Sequence, residues 1–282
     1  MGKTYTVEEA TFDSFKGIDI ALFAGGSISK DFAPHAVKAG AVVIDNSSAF
    51  RMDPEVPLVV PEVNPQAILK HKGIIANPNC STIIMVMALK PIYELAKIKR
   101  VIVSTYQAVS GAGKEGIDEL DAQVREHSEG REMTANILPS ASAEKHYPIA
   151  FNLIPQIDVF CDNLYTKEEM KMVNETKKIM EDYEMRITAT TIRVPVYRSH
   201  SESVNIELEK EVDLGVMREA LAKFPGVTVQ DDPSKQEYPM PLYTSEKDDV
   251  YVGRLRRDES CEKSYNMWAV SYTHLRAHET SQ

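Results

Sequence analysis

The chain has 282 residues, enough for two domains, with 32 Lys and Arg against 42 Asp and Glu and a formal net charge of −10. That acidic balance argues against a nucleic-acid partner, whose binding face would be basic. The longest apolar stretch, Ile83 to Leu89, is too short to cross a bilayer, and Met1 to Thr11 has no apolar signal core. The three cysteines, Cys80, Cys161 and Cys261, form neither a disulfide framework nor a metal-spacing set. A cytoplasmic protein without metal, membrane or nucleic-acid partner is therefore expected.

Ile18 to Ala24 reads as a fully buried strand ending at Gly25-Gly26, and Ser27 to Ala39 as a helix closed by Gly40. Ala41 to Asp45 follows as a second buried strand, Asn64 to Lys70 as a short helix and Gly73 to Ala76 as another strand. This alternation predicts a parallel sheet covered by helices. Cys80 to Ala96 reads as a long helix with a break or kink at Pro91. Arg100 to Val109 is a predicted strand and Lys114 to His127 a predicted helix, while Glu129 to Asn163 is irregular and proline-rich. Thr166-Lys167-Glu168-Glu169 spells a capping box, so a helix should run from there to about Asp182. Arg186 to Val196 and Ser201 to Glu209 read as strands, the second alternating Val204, Ile206 and Leu208. A helix over Asp213 to Phe224 and strands over Val250 to Leu255 and Met267 to Val270 complete a mixed α+β region. The overall class is α/β, with a domain boundary near Cys80.

Asn77-Pro78-Asn79-Cys80-Ser81-Thr82 carries the strongest chemical signal, because it sets a cysteine at the start of a helix. Unsatisfied N–H groups and a partial positive charge there would stabilise a thiolate and depress its pKa. Two readings stand, a nucleophile or a small buried apolar residue. Cys161 reads as core and Cys261 as surface. A nucleophile needs a proton partner, and His200, in a predicted turn between two strands, and His146 are the candidates. His35, His71 and His127 read as solvated.

Four motifs in order give the chain a family resemblance. They are Asp45 to Arg51 (DNSSAFR), Asn77 to Thr82 (NPNCST), Ser104 to Gly113 (STYQAVSGAG) and Ile192 to Glu202 (IRVPVYRSHSE). The sequence resembles bacterial-type aspartate-β-semialdehyde dehydrogenase over roughly Tyr5 to Val270. The resemblance implies a partial Rossmann-like NADP-binding domain over 1–79. A catalytic and dimerisation domain of the glyceraldehyde-3-phosphate-dehydrogenase-like type is implied over 80–270. It implies NADPH-dependent reductive dephosphorylation of aspartyl phosphate by a homodimer, feeding lysine, threonine and methionine synthesis. By the same resemblance Cys80 is the nucleophile that carries an acyl thioester, His200 the acid/base and Gln107 the orienting amide. Arg193 matches the α-carboxylate ligand, Glu168 the acid at the substrate end, and Arg51, Lys171 and Asn79 the phosphate subsite. Gly25, Gly26, Ser110 and Gly111 match positions beside the cofactor. Without the resemblance, Glu168 and Lys171, three apart on one helix, read as a solvated ion pair.

Gly111-Ala112-Gly113-Lys114-Glu115-Gly116 spells a dinucleotide fingerprint but is not read as one, because no second buried strand follows its helix. The family's first strand and glycine-rich turn have no counterpart upstream of Ile18, so the chain is expected to begin after them. Ser271 to Gln282, with His274 and His278, has no apolar helical stripe and is expected to be a non-native tail. An N-acetyl-glutamyl-phosphate reductase, an inactive dimerisation partner and a cysteine hydrolase are the alternatives. The last gives no account of Arg51, Lys171 and Arg193 together.

Overall fold

The computed structural model describes residues 6–272. Three short strands, β1 (Ile20–Phe23), β2 (Val42–Asp45) and β3 (Ile74–Ala76), form a parallel sheet in that order. Helix α1 (Ser29–Lys38) connects β1 to β2 and buries Ala33 and Ala36 against Ala21 and Val43. Small residues on both sides let the helix sit close to the sheet. The expectation of a fully buried β1 is corrected here. Ile20 and Leu22 are 61% and 56% exposed, because α1 covers only the Ala21 side.

Helix α2 (Cys80–Leu95) is apolar on every side, and Ile83 through Leu89 are all buried. A helix with no polar face belongs in a core. It runs through Pro91 without a break, although Pro91 has no N–H to donate to the Met87 carbonyl.

The larger sheet contains β4 (Ile98–Gln107), β5 (Arg186–Arg193), β6 (His200–Leu208), β7 (Val227–Val229), β8 (Val250–Arg257) and β9 (Ser264–Ser271). Their order is β5-β4-β6-β9-β8-β7. β5 is parallel to β4 and β7 to β8, and the other neighbours are antiparallel. Consecutive β5 and β6 thus flank β4 and do not pair with each other. Helices α3 (Gly113–Ser128), α4 (Lys167–Met180), α5 (Leu214–Lys223) and α6 (Pro241–Thr244) complete the fold. Leu89, Met172, Met217 and Val204 join α2, α4, α5 and the sheet in one core.

The capping box forms as read: Thr166 Oγ1 accepts from Glu169 N, and Glu169 Oε2 accepts from Thr166 N. α4 stops at Met180, where Glu181 turns left-handed at φ 52°. The segment between α3 and α4 carries no regular helix or strand. Two further readings change. His200 is the first residue of β6 and not a turn residue. Cys161 is half-buried and not core, because it lies in the irregular approach to α4, where its N–H donates to Tyr165 O. β9 continues through Ser271, so the strand extends one residue past the expected domain end. Residues 273–282 of the expected tail, with His274 and His278, lie outside the described residues. Among the described residues no helix is long and apolar enough to cross a membrane.

Candidate active site

In a parallel sheet all carboxyl ends face one edge, and ligands of open α/β sheets bind there. β1 ends there before Gly25-Gly26, β2 before Asn46 to Ser48, and β3 before Asn77 to Cys80. Asn46, Ser48, Asn79 and Cys80 from that edge line a cavity of about 220 Å³. Arg51, Gln107, Gly111, Glu168, Lys171 and Arg193 line it too, so eight of the residues nominated from the sequence converge on one space.

Cys80 opens α2. The preceding Asn79 caps the helix, its Oδ1 accepting from Ser81 N at 3.0 Å and Thr82 N at 3.1 Å. Asn79 Nδ2 donates to Glu168 Oε1 at 2.9 Å, and Asn79 N to Glu175 Oε2 at 2.7 Å. The cap therefore fixes the helix start and ties it to α4. The expected depression of the Cys80 pKa is not found. Burial, and secondarily the Glu168 carboxylate, push the thiol up to about 11, against the opposing pull of Arg51, Arg193 and the Ser81 N–H. The residue is half-buried and lines the cavity, but protein surrounds its thiol, and desolvation outweighs the helix terminus.

The cross-strand register builds the opposite wall. Gln107 on β4 stands beside Arg193 on β5. Tyr106 faces Ser201 on β6, which brings His200 level with Gln107. Ala108 N donates to His200 Nδ1 at 3.0 Å, and Ala108 O accepts from Arg193 Nη1 at 2.7 Å. The backbone of one residue thus orients both side chains. With Nδ1 accepting, the neutral ring carries its proton on Nε2. Gln107 Nε2 donates to Glu168 Oε1 and to Thr105 Oγ1, each at 3.3 Å. His200 is reached past Gly111: a Cβ there would stand 2.6 Å from Arg193 Nη1 and 3.4 Å from His200 Nε2. His146 lies elsewhere, its Nε2 bonded to Ser140 O.

The cations are not free-standing. Arg51 Nη1 pairs with Glu175 Oε1 at 3.2 Å, and its Nη2 donates to Asn46 O at 2.9 Å. Lys171 Nζ lies 3.2 Å from Glu168 Oε2 and 3.0 Å from Asp158 Oδ2. The Glu168–Lys171 pair is not a solvated one, because the Glu168 side chain is only 7% exposed. Burial alone would raise the Glu168 pKa, but Lys171 and the Asn79 amide outweigh it and hold it below its ordinary value. Glu175 goes the other way, with desolvation raising it against Arg51. Lys178 Nζ donates to the carbonyls of Arg51, Asp53 and Val56, which pins the loop that carries Arg51.

Sequence reading missed Asp158, Glu175 and Lys178. For the last two the signal was present, since Glu168, Lys171, Glu175 and Lys178 recur at helical spacing along one face of α4. Gly25, Gly26 and Ser110 do not line the cavity. Gly26 turns at φ +64°, a left-handed conformation that glycine adopts without strain, and the Ser110 hydroxyl is buried without a partner among the described residues. In the fingerprint-like segment, Gly116 is needed for packing, since a Cβ would stand 2.6 Å from Val109 O.

Residues 89–272 match the family described as semialdehyde dehydrogenase, dimerisation domain, and residues 1–71 the semialdehyde dehydrogenase NAD binding domain. The chain is 56% identical over 274 residues to aspartate-semialdehyde dehydrogenase of Aquifex aeolicus, spanning 96% of this chain and 79% of that protein. The chain belongs to the aspartate-semialdehyde dehydrogenase family. The aspartate-semialdehyde dehydrogenase of Bacillus subtilis is 54% identical, with the same coverage of 96% and 79%. Among solved structures, aspartate semialdehyde dehydrogenase II from Vibrio cholerae superposes with a TM-score of 0.85 at 46% identity, covering 90% of this chain and 74% of that one. A second structure of that enzyme is described as complexed with ASA.

Proposed function

We propose that the chain catalyses the NADPH-dependent reductive dephosphorylation of L-aspartyl 4-phosphate to L-aspartate 4-semialdehyde, with Cys80 as the nucleophile. The observation that carries this is one cavity that combines a thiol at a helix start with three cations and a buried carboxylate. Such a set suits a substrate bearing a carboxylate, an ammonium and an acyl phosphate. Family membership and the Vibrio enzyme's ASA complex support the same reading.

Arg193, fixed through Ala108 O, presents its remaining guanidinium donors to the substrate α-carboxylate, and Glu168 meets the ammonium. Arg51, Lys171 and Asn79 hold the phosphate. Anion binding there adds charge that the thiol of Cys80 must work against, so its proton leaves with the departing phosphate. The sulfur attacks the acyl carbon, the carbon–oxygen bond to phosphate breaks, and a thioester remains on Cys80. A bound NADPH would supply the hydride that this carbon accepts. His200 Nε2–H delivers a proton to the carbonyl oxygen as its charge develops and takes it back when the carbon–sulfur bond breaks, releasing the aldehyde and a thiolate that takes up a proton from solvent to restore the resting thiol. Gln107 holds Glu168 in register.

The residues fit a nicotinamide dinucleotide. Gly25 and Gly26 at the carboxyl end of β1 allow close backbone approach, and Ser110 offers a buried hydroxyl beside Gly111. We assign cofactor binding to 1–79, substrate chemistry and homodimerisation to 80–270, and the whole to the cytoplasm. The dimerisation-domain match supports the assembly.

Cys80→Ser is expected to lower phosphate-dependent reduction of NADP by aspartate semialdehyde about a thousandfold or more, with phosphate affinity retained. Near-normal turnover by this variant would overturn the mechanism. Faster turnover of N-acetylglutamyl phosphate than of aspartyl phosphate would overturn the substrate.

A further inference from the structure

Lys171 sits between two carboxylates that are built differently. Glu168 Oε1 already accepts from Asn79 Nδ2 and Gln107 Nε2, so this residue is locked into the wall around Cys80. Asp158 lies outside any helix or strand, in the irregular stretch before α4. Its Oδ1 accepts from its own neighbour, Val159 N, at 2.8 Å, and its Oδ2 is turned to Lys171. The residue takes φ +68°, a left-handed conformation that Asp and Asn tolerate better than other side chains. The Asp158 side chain is 32% exposed, so water can solvate it when Lys171 turns away, whereas Glu168 has no such recourse. An anion reaching Lys171 from the cavity must compete with both acids, and only Asp158 can yield.

We propose that Asp158 is the exchangeable counter-ion of the phosphate subsite, holding Lys171 in the empty site, releasing it to phosphate and reclaiming it as phosphate leaves. This rests on the assignment of Lys171 to phosphate. Asp158 acts through Lys171 and is a positioning residue, not a catalytic one. Its negative charge would weaken standing phosphate affinity and speed phosphate departure, since like charges compete for one cation.

The test is equilibrium binding of inorganic phosphate to the full chain by calorimetry. Asp158→Asn keeps both the left-handed backbone and an acceptor for Val159 N but removes the charge. It should bind phosphate about fivefold more tightly, the size of one partly screened ion pair. Asp158→Gly, which also accepts φ +68°, should shift affinity in the same direction. In a Lys171→Met background, Asp158→Asn should change nothing. Unchanged or weaker phosphate binding by Asp158→Asn and Asp158→Gly overturns the proposal, and weakening is what a merely structural role predicts. If Lys171→Met alone leaves phosphate affinity unaltered, the assignment of Lys171 fails and the counter-ion role falls with it, a result distinct from failure of the aspartate variants alone.

Discussion

Glu202 stands on β6 directly across from Thr105 of β4 and Ala269 of β9, two residues beyond His200 and on the same face of the sheet. It is 0% exposed, and neither carboxyl oxygen has a hydrogen-bond partner among the described residues. Burial raises its pKa well above the ordinary carboxylate range, so the folded protein holds it as a neutral acid. In the unfolded chain the same group releases its proton near about 4.3. Between those two values the native state binds one more proton than the unfolded state, and stability must fall as pH rises. The slope is about 1.4 kcal/mol per pH unit. Stability from this group is complete below the unfolded pKa and is lost progressively toward the folded one. Glu202→Gln keeps the shape and cannot titrate. Relative to it, the unmodified chain should lose stability steadily as pH rises from 5.5 to 7.5. Urea unfolding of both proteins at pH 5.5, 6.5 and 7.5 measures the difference directly. A gap between them that stays constant within about 0.5 kcal/mol would show that Glu202 is ionised in the fold and refute the reasoning.

Gly111→Ala puts a methyl against Arg193 Nη1 and the His200 ring, and should cut kcat/KM about a hundredfold while the melting temperature stays nearly unchanged. Steady-state kinetics beside thermal melting checks this, and full activity would mean that Arg193 and His200 do not act near Gly111. With the Cys80 thiol pushed up to about 11, its alkylation by iodoacetamide in the unliganded protein should keep rising with pH through 9. A plateau reached below pH 8 would mean that the helix terminus outweighs burial after all.

Much of the site could be read before any coordinates, because its residues occupy positions with local signatures. Asn79 before Cys80 is a helix cap, and Thr166 with Glu169 is a capping box, each legible within a few residues. What failed was long-range. Whether Cys80 gains or loses acidity depends on how deeply α2 is buried and on a carboxylate 88 positions away at Glu168, and neither is a property of the local sequence. The half-exposed β1 escaped for the same reason, since an apolar run does not state how many of its faces are covered. Glu202 lay within reach. The alternation of Val204, Ile206 and Leu208, extended two steps backward, sets Glu202 and His200 on the buried face. Asp158 had no signal, as its pairing with Lys171 depends on an irregular segment.

The α4 face that carries Glu168, Lys171, Glu175 and Lys178 has a consequence for how this enzyme can vary. Each successive residue of a helix turns by about 100°. Inserting or deleting one residue anywhere between Glu168 and Lys178 would swing part of that row off the cavity. Lys171 and Glu168 would separate, Arg51 and its loop would lose Glu175 and Lys178 together, or the loop would lose Lys178 alone. The residue count of α4 between Glu168 and Lys178 is therefore fixed by the need to keep these four side chains on the face that meets the cavity and the Arg51 loop.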